Sequence, residues 1–290
     1  FSYFSASDPP VLPPYPTLAR VQEVFPPLGH VVARFARFVT RKWPDPVYAL
    51  RRELGLPRGK DPIFDAKHSD RLALALFSSV MGAPQPDWPS AAKTSGFAFY
   101  DGSGDEGELP PHLAAFLQDG PPPLVFTLGS AAVMNAGDFY EQSAEAAAIL
   151  GQRAVLLVGA DDRNLPRRAL PDTICVARYA PYSKIFPRAS VLIPQGGIGT
   201  TAQALRAGRP MLVMPYSHDQ PDNARRVRRL GVAEVLGRKD YRAKPAARLI
   251  WQLLSDNAYE MSAAAAAATI AEENGAVAAC DALESAARAR

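Results

Sequence analysis

The stretch Val191–Asn223, VLIPQGGIGTTAQALRAGRPMLVMPYSHDQPDN, constrains the fold more than any other. Val191-Leu192-Ile193 is a short apolar run of the kind a buried strand shows. Gln195-Gly196-Gly197-Ile198-Gly199-Thr200 is a glycine-rich turn, and Thr201–Ala207 is a helix-forming run closed by Gly208, the residue type expected just past a helix end. After Arg209-Pro210 a second apolar run, Met211–Met214, is stopped by Pro215. Strand, turn, helix, strand is a βαβ unit with its glycines where a helix begins. Glycines there let the backbone approach a ligand closely. The first helical turn adds unpaired N–H groups and a positive dipole end, so phosphate is the natural guest.

The pattern extends in both directions from this unit. Leu124–Leu128 reads as a strand followed by Gly129-Ser130, then a helix over Asp138–Leu150 and strands at Ala154–Val158 and Ile174–Ala177. A short helix over Ser183–Phe186 leads into the central unit. A helix over Asp222–Leu230, a strand at Val232–Leu236 and further helices, including the alanine run Ala263–Ala268, complete the chain. Alternating strands and helices with short loops define a doubly wound parallel sheet covered on both faces. Ligands of such sheets bind at the carboxyl ends of the strands, which is where Ser130, Gly196, Gly197 and Asp219 fall.

Residues 1 to about 90 differ. Proline crowds the opening (Pro9, Pro10, Pro13, Pro14, Pro16), which argues for extended or loop structure. Leu28–Trp43 places Val31, Val32, Phe35, Phe38 and Val39 on one helical face. Packing against a domain core is the simplest reading of that face; a peripheral membrane contact or a wall of an apolar acceptor pocket is the other. Asp45–Leu54 reads as a helix ended by Gly55, and Leu72–Phe77 and Gly96–Tyr100 as short strands. Gly102–Leu109 has the composition of an acidic linker, and Pro121-Pro122-Pro123 is stiff. The boundary is expected between about 102 and 123, giving a partial domain over 1–110 and a complete one over 111–290.

At 290 residues the chain fits two domains, and a net charge of +3 is too small to argue for a nucleic-acid partner. The nearest basic patch, Arg225, Arg226, Arg228 and Arg229, reads as a solvated helix face, with phosphate or nucleic-acid contact as the alternative. Cys175 and Cys280, far apart, make no disulfide framework or metal motif; reduced thiols in a cytoplasmic protein are expected. No apolar run approaches the ~18–20 residues of a membrane span. The opening, FSYFSASDPP, reads as the middle of a longer sequence.

On these residues the chain resembles the UDP-dependent glycosyltransferases of GT-B fold, nearest to bacterial enzymes related to sterol glucosyltransferases. The signature stands here as Gly196-Gly197-Ile198-Gly199-Thr200, Gly208-Arg209-Pro210, Pro215, Asp219-Gln220 and Asn223-Ala224. FSASDPPVLPP and Pro84–Trp88 (PQPDW) resemble the second half of the acceptor domain. The resemblance implies an α/β chain with a complete C-terminal donor domain and a partial N-terminal one. It implies transfer of a sugar, glucose above others, from a UDP-sugar to a hydroxyl of an apolar acceptor such as a sterol, lipid or polyphenol, with inversion. By the same resemblance Tyr179 stacks on the uracil, Gln203 holds the ribose hydroxyls, and Gly129, Ser130, Thr200 and the amides of Gly197 to Gly199 bind the diphosphate. Asp219 and Gln220, followed by Asn223, hold the sugar. No cofactor beyond the co-substrate and no metal is expected, there being no Asp-x-Asp motif.

Two departures stand out. The family's His before Gly-Gly is replaced by Gln195, which still offers an N–H to phosphate. The family's general base, a His early in the acceptor domain, is expected upstream of Phe1, so no catalytic residue is assigned. Gly29-His30-Val31 resembles that motif only superficially. His68 and His112 lie in loop-like contexts, and His218 adjoins the sugar-binding pair. Two other classes fit part of the pattern. Gly197-x-Gly199-x-x-Ala202 satisfies a dinucleotide fingerprint with Asp219 downstream, as in a nicotinamide-dependent oxidoreductase, but at least three strands precede it. The other is a fragment that binds a UDP-sugar without transferring it.

Overall fold

The computed structural model of this chain describes residues 27–100 and 108–288 together with Asp8, Val21 and Phe25. The proline-rich opening, most of FSASDPPVLPP and residues 101–107 of the acidic run lie outside the described residues. The chain divides into two units: Phe1–Gly96 with Asn274–Arg290, and Phe97–Glu273. The sequence placed the division later, at 110/111, and kept the C-terminal helices with the second part.

In the first unit, helices α1 (Leu28–Val39) and α2 (Asp45–Glu53) precede two short parallel strands, β1 (Ala73–Ala75) and β2 (Ala92–Thr94). The LALALF run thus contributes its middle. Gly96–Tyr100 is not a strand: Ala92–Thr94 takes the pairing, and Gly96 turns the chain with φ +90°. Gly55, also at positive φ, ends α2 as expected. Helix α1 has the expected period, but Val31, Phe35, Phe38 and Val39 are each more than half exposed, so among the described residues the packing expected of that face is not seen. The carboxylate of Asp65 receives Arg37 at 2.6 Å, which holds its pKa below the usual range.

The second unit opens with α3 (Pro111–Gln118) and then winds through β3 (Leu124–Thr127), the one-turn α4 (Gly129–Ala132), α5 (Phe139–Leu150), β4 (Ala154–Leu157), β5 (Ile174–Ala177), α6 (Tyr182–Ile185), β6 (Val191–Ile193), α7 (Ile198–Arg206), β7 (Met211–Val213), α8 (Gln220–Arg229), β8 (Ala233–Val235), α9 (Ala243–Ser255) and α10 (Asn257–Ala271). The last helix, α11 (Gly275–Arg288), belongs to the first unit, where Arg71 Nη2 donates to Ala286 O at 2.7 Å. The strands form one parallel sheet in the order β5-β4-β3-β6-β7-β8. Its register pairs Leu124 with Ala154 and Val191, and Val213 with Val235.

Every residue of β3, β4, β6 and β7 is buried, as a parallel sheet covered on both faces requires. Phe126, Leu156, Ile193 and Leu212 share a core with Phe139 and Tyr140 of α5 and Ala246 and Ile250 of α9. Burial raises the phenols of Tyr140 and Tyr241 well above their ordinary value, and each is satisfied: Tyr140 donates to Leu157 O at 2.5 Å and Tyr241 pairs with Ser143 Oγ at 2.8 Å. Among the described residues, no helix is long and apolar enough to cross a membrane.

Candidate functional site

From β3 the chain winds outward through β4 and β5, then returns to β6 on the other side of β3 and winds away through β7 and β8. The carboxyl ends of β3 and β6 therefore flank a topological switch point, where sheets of this kind open a crevice. Gly129 and Ser130 follow β3, and Pro194 to Gly199 follow β6.

Glycine is demanded at two of these positions. Gly129 has φ +62° and Gly196 φ +86°, conformations L side chains rarely adopt. A Cβ on Gly196 would meet Val213 Cγ1 at 2.8 Å. A Cβ on Gly129 would overlap Gln195 Nε2, and one on Gly197 would lie 2.8 Å from the same atom. The Gln195 carboxamide thus lies between the two loops. The residue is 5% exposed, makes no side-chain hydrogen bond among the described residues, and leaves Oε1 buried and unpaired. The position where the resemblance expects His is filled by a neutral amide set into the crevice floor.

Helix α7 begins at Ile198, three residues before its expected start. Gly197 is its extended N-cap, with ψ 143°, and Thr201 N donates to Gly197 O at 2.9 Å as the first helical bond. The amides of Ile198, Gly199 and Thr200 have no acceptor within the helix and carry its positive end. Space around Gly199 is open: a Cβ there would meet nothing within 4 Å. Thr200 is buried, and its hydroxyl with that of Thr127 bonds the phenol of Tyr182, which burial raises above its ordinary value. Thr200 therefore brings its amide to the crevice while its side chain fastens α6 beneath it. The sequence reading missed Tyr182, whose phenol ties β3 to α7; nothing in the run Ala180-Pro181-Tyr182 marks it.

On the far side, the loop after β7 is closed by Gln220, whose Oε1 accepts from Tyr216 N at 2.8 Å and Ser217 N at 3.3 Å. This fixes the amide orientation and leaves Nε2 as the group with donors to offer. Asp219 is exposed, and its Oδ2 accepts from Asn223 Nδ2 at 2.8 Å. The same nitrogen donates to Gly196 O at 3.0 Å. Asn223 itself is 1% exposed and stands behind the wall rather than in the crevice. His218 is the one described non-glycine residue at positive φ, +58°, with Ser217 Oγ 2.7 Å from its Nδ1.

The other expected residues are more dispersed. Ser130 is exposed at the start of α4, and Gln203 is half-buried within α7. Tyr179, 60% exposed, follows β5, two strands from β3. It lines a groove of about 810 Å³ with Arg178, His112, Leu109, Val158 and Leu165. His112 is not in a loop but on α3, with Nε2 3.2 Å from Val176 O. His30 is exposed on α1 and His68 is half-buried. The arginine run is not a solvated face throughout: Arg226 is buried and bonds the buried Asp222 at 2.9 Å, with Arg225 3.7 Å from the same carboxylate. Cys175 and Cys280 are free thiols, and burial raises that of Cys175. Among the described residues no group of three His, Cys, Asp or Glu could hold a metal ion.

Such a site offers anion-binding amides, a neutral amide in the floor, and a carboxylate beside an amide for hydroxyl groups. Residues 144–282 match the family described as Erythromycin biosynthesis protein CIII-like, C-terminal domain. The O-mycaminosyltylonolide 6-deoxyallosyltransferase of Streptomyces fradiae is 38% identical over 189 residues, 64% of this chain and 43% of the relative. The vancomycin aglycone glucosyltransferase of Amycolatopsis orientalis is 34% identical over 63% of this chain and 42% of its own. A sterol 3-beta-glucosyltransferase of Leptosphaeria maculans is 29% identical over 78% of this chain and 16% of the relative. The chain thus spans less than half the length of these relatives. Among solved structures, the glycotransferase of kitacinnamycin aligns with a TM-score of 0.68 at 22% identity, over 82% of this chain and 60% of that one. The glycosyltransferase VinC in complex with dTDP aligns at 0.61 and 20% identity, over 75% and 52%. These likenesses show the fold: an α/β chain of the GT-B type, with its doubly wound sheet in Phe97–Glu273. The macrolide-type relative, rather than a sterol enzyme, shares the higher identity.

Proposed function

We propose that this chain is the donor-side part of a GT-B hexosyltransferase. It holds a nucleoside-diphosphate sugar, UDP-glucose in the simplest reading, for inverting transfer to a hydroxyl of an apolar acceptor. The observation that carries this is the β3/β6 switch point, where Gly129 and Gly197 make room for the Gln195 carboxamide and the space at Gly199, beside the free amides of α7, is open. In the reaction the acceptor oxygen bonds the anomeric carbon as the bond from that carbon to the diphosphate breaks. The proton passes to a base, which the family resemblance puts upstream of Phe1. The leaving diphosphate takes the electron pair, and the α7 amides, Ser130 N–H and Gln195 Nε2 meet its charge. Asp219 accepts from the sugar hydroxyls while Gln220 Nε2 donates to them, and Tyr179 supplies a face for the base. Relatives named for macrolide, glycopeptide-aglycone and sterol substrates support a bulky, largely apolar acceptor. The exposed apolar face of α1 supports an apolar surface on the first unit, whether acceptor wall or membrane contact.

Calorimetric titration of the chain with UDP and dTDP, with NAD as control, tests this. Micromolar binding of a pyrimidine diphosphate without NAD binding is expected. NAD binding, or no diphosphate binding by a folded sample, refutes the donor-site reading. The identity of the base follows from which diphosphate binds more tightly, a question that VinC in complex with dTDP makes pointed.

A further inference from the structure

Asn223 is buried, yet both hydrogens of its Nδ2 are spent at the site: one on Gly196 O at 3.0 Å, in the turn that precedes the α7 amides, the other on Asp219 Oδ2 at 2.8 Å. Two acceptors on one nitrogen fix which end of the amide is which, and Oδ1 is left buried without a partner. Asp219 needs such a hold. It is exposed, its backbone follows His218 at φ +58°, and its carboxylate is otherwise free to rotate into solvent. We propose that Asn223 is a positioning residue that fixes the Asp219 carboxylate in register with the Gly196 turn, so that sugar recognition is measured from the diphosphate cradle. This rests on the donor-site reading above. Asn223 does not touch ligand; it acts through Asp219, and it makes the loop after β7 and the loop after β6 a single binding element. Gln220 contributes separately, by bonding the loop's own amides at Tyr216 and Ser217.

The test is a double-mutant cycle on the full chain, reading affinity for UDP and UDP-glucose (dTDP and dTDP-glucose if that base is preferred). Asn223→Ala and Asp219→Ala are each expected to weaken the sugar nucleotide about tenfold more than the bare diphosphate, the size of a lost hydrogen bond to a charged group. The double variant is expected to lose no more than Asp219→Ala alone. Multiplicative losses, or equal losses for diphosphate and sugar nucleotide, overturn the proposal. Should Asn223→Ala not fold, the wild-type side-chain NH2 resonances of Asn223 decide: the sugar nucleotide is expected to shift them beyond the diphosphate's effect, and no added shift overturns the proposal. A wild type that binds neither diphosphate overturns the donor-site reading, and this one with it. A wild type that binds both while the cycle is multiplicative overturns only this one.

Discussion

Gly129→Ala offers a stability test of the crevice that needs no ligand. At φ +62° an alanine pays for the left-handed region, about 1–2 kcal/mol. Its Cβ would also overlap Gln195 Nε2 and lie 3.1 Å from Gln195 Cδ. The carboxamide must then leave its buried place, with a rotamer cost of about 0.5–1.5 kcal/mol. The sum is about 1.5–3.5 kcal/mol. In a Gln195→Ala background the obstacle is gone, and the same substitution should cost only the backbone share. Urea denaturation followed by circular dichroism reads both. With a slope of about 2 kcal/mol/M, the midpoint falls by about 0.8–1.8 M in the first case and by about 0.5–1 M in the second. Gly197→Ala is the control: its φ is ordinary, so its cost is the Gln195 contact alone and should vanish in the Gln195→Ala background. Additivity of Gly129→Ala and Gln195→Ala within about 0.5 kcal/mol would refute the placement of Gln195 between the two loops.

Arg226→Ala should destabilise by about 1.5–3 kcal/mol, because it removes the 2.9 Å charged hydrogen bond to the buried Asp222, which keeps Arg225, whereas Arg229→Ala at the exposed end of α8 should shift the thermal midpoint hardly at all. His218→Gly should raise stability by about 0.5–1 kcal/mol by relieving its left-handed backbone; a fall in the melting temperature would contradict that geometry. With a chromogenic disulfide reagent at mildly alkaline pH, Cys280 should react at once. Cys175, part-buried in β5 with its thiolate disfavoured, should lag until the chain unfolds.

The parallel sheet of the second unit was legible because its four inner strands are buried on both faces and its edge strands are also largely apolar. Runs such as Ala154–Val158 and Ile174–Ala177 are continuous apolar segments between turn residues, and the strands follow them to within a residue. The start of α7 was not legible. Gly197 and Gly199 look like turn residues, yet Gly197 is the extended N-cap beside Gln195 and Gly199 already lies in the first helical turn. The arginine cluster misled in a different way. Asp222 and Arg226 are four apart on α8, a visible spacing, but the burial that turns the pair inward is set by tertiary packing. Gln195 and Asn223 show the same limit at the site. Their presence was evident, but that one fills the crevice floor and the other braces its wall depends on loops distant in sequence. On α1 the helical period could be read, but not what, if anything, covers its apolar face.

The adjacency of β3 and β6 has a consequence for how the crevice arises in time. Its two walls belong to strands joined only after the chain has gone out through β4 and β5 and come back, a pairing of high sequence separation that closes late and slowly. A form of Phe97–Glu273 in which β3 and β6 are not yet paired has the two walls of the crevice apart. Any ligand that binds here binds the finished sheet alone, and draws the whole unit toward it by mass action, by about 2.7 kcal/mol at a hundredfold excess over Kd. Protection of the most deeply buried strand amides against hydrogen exchange would rise with ligand together, as one cooperative block.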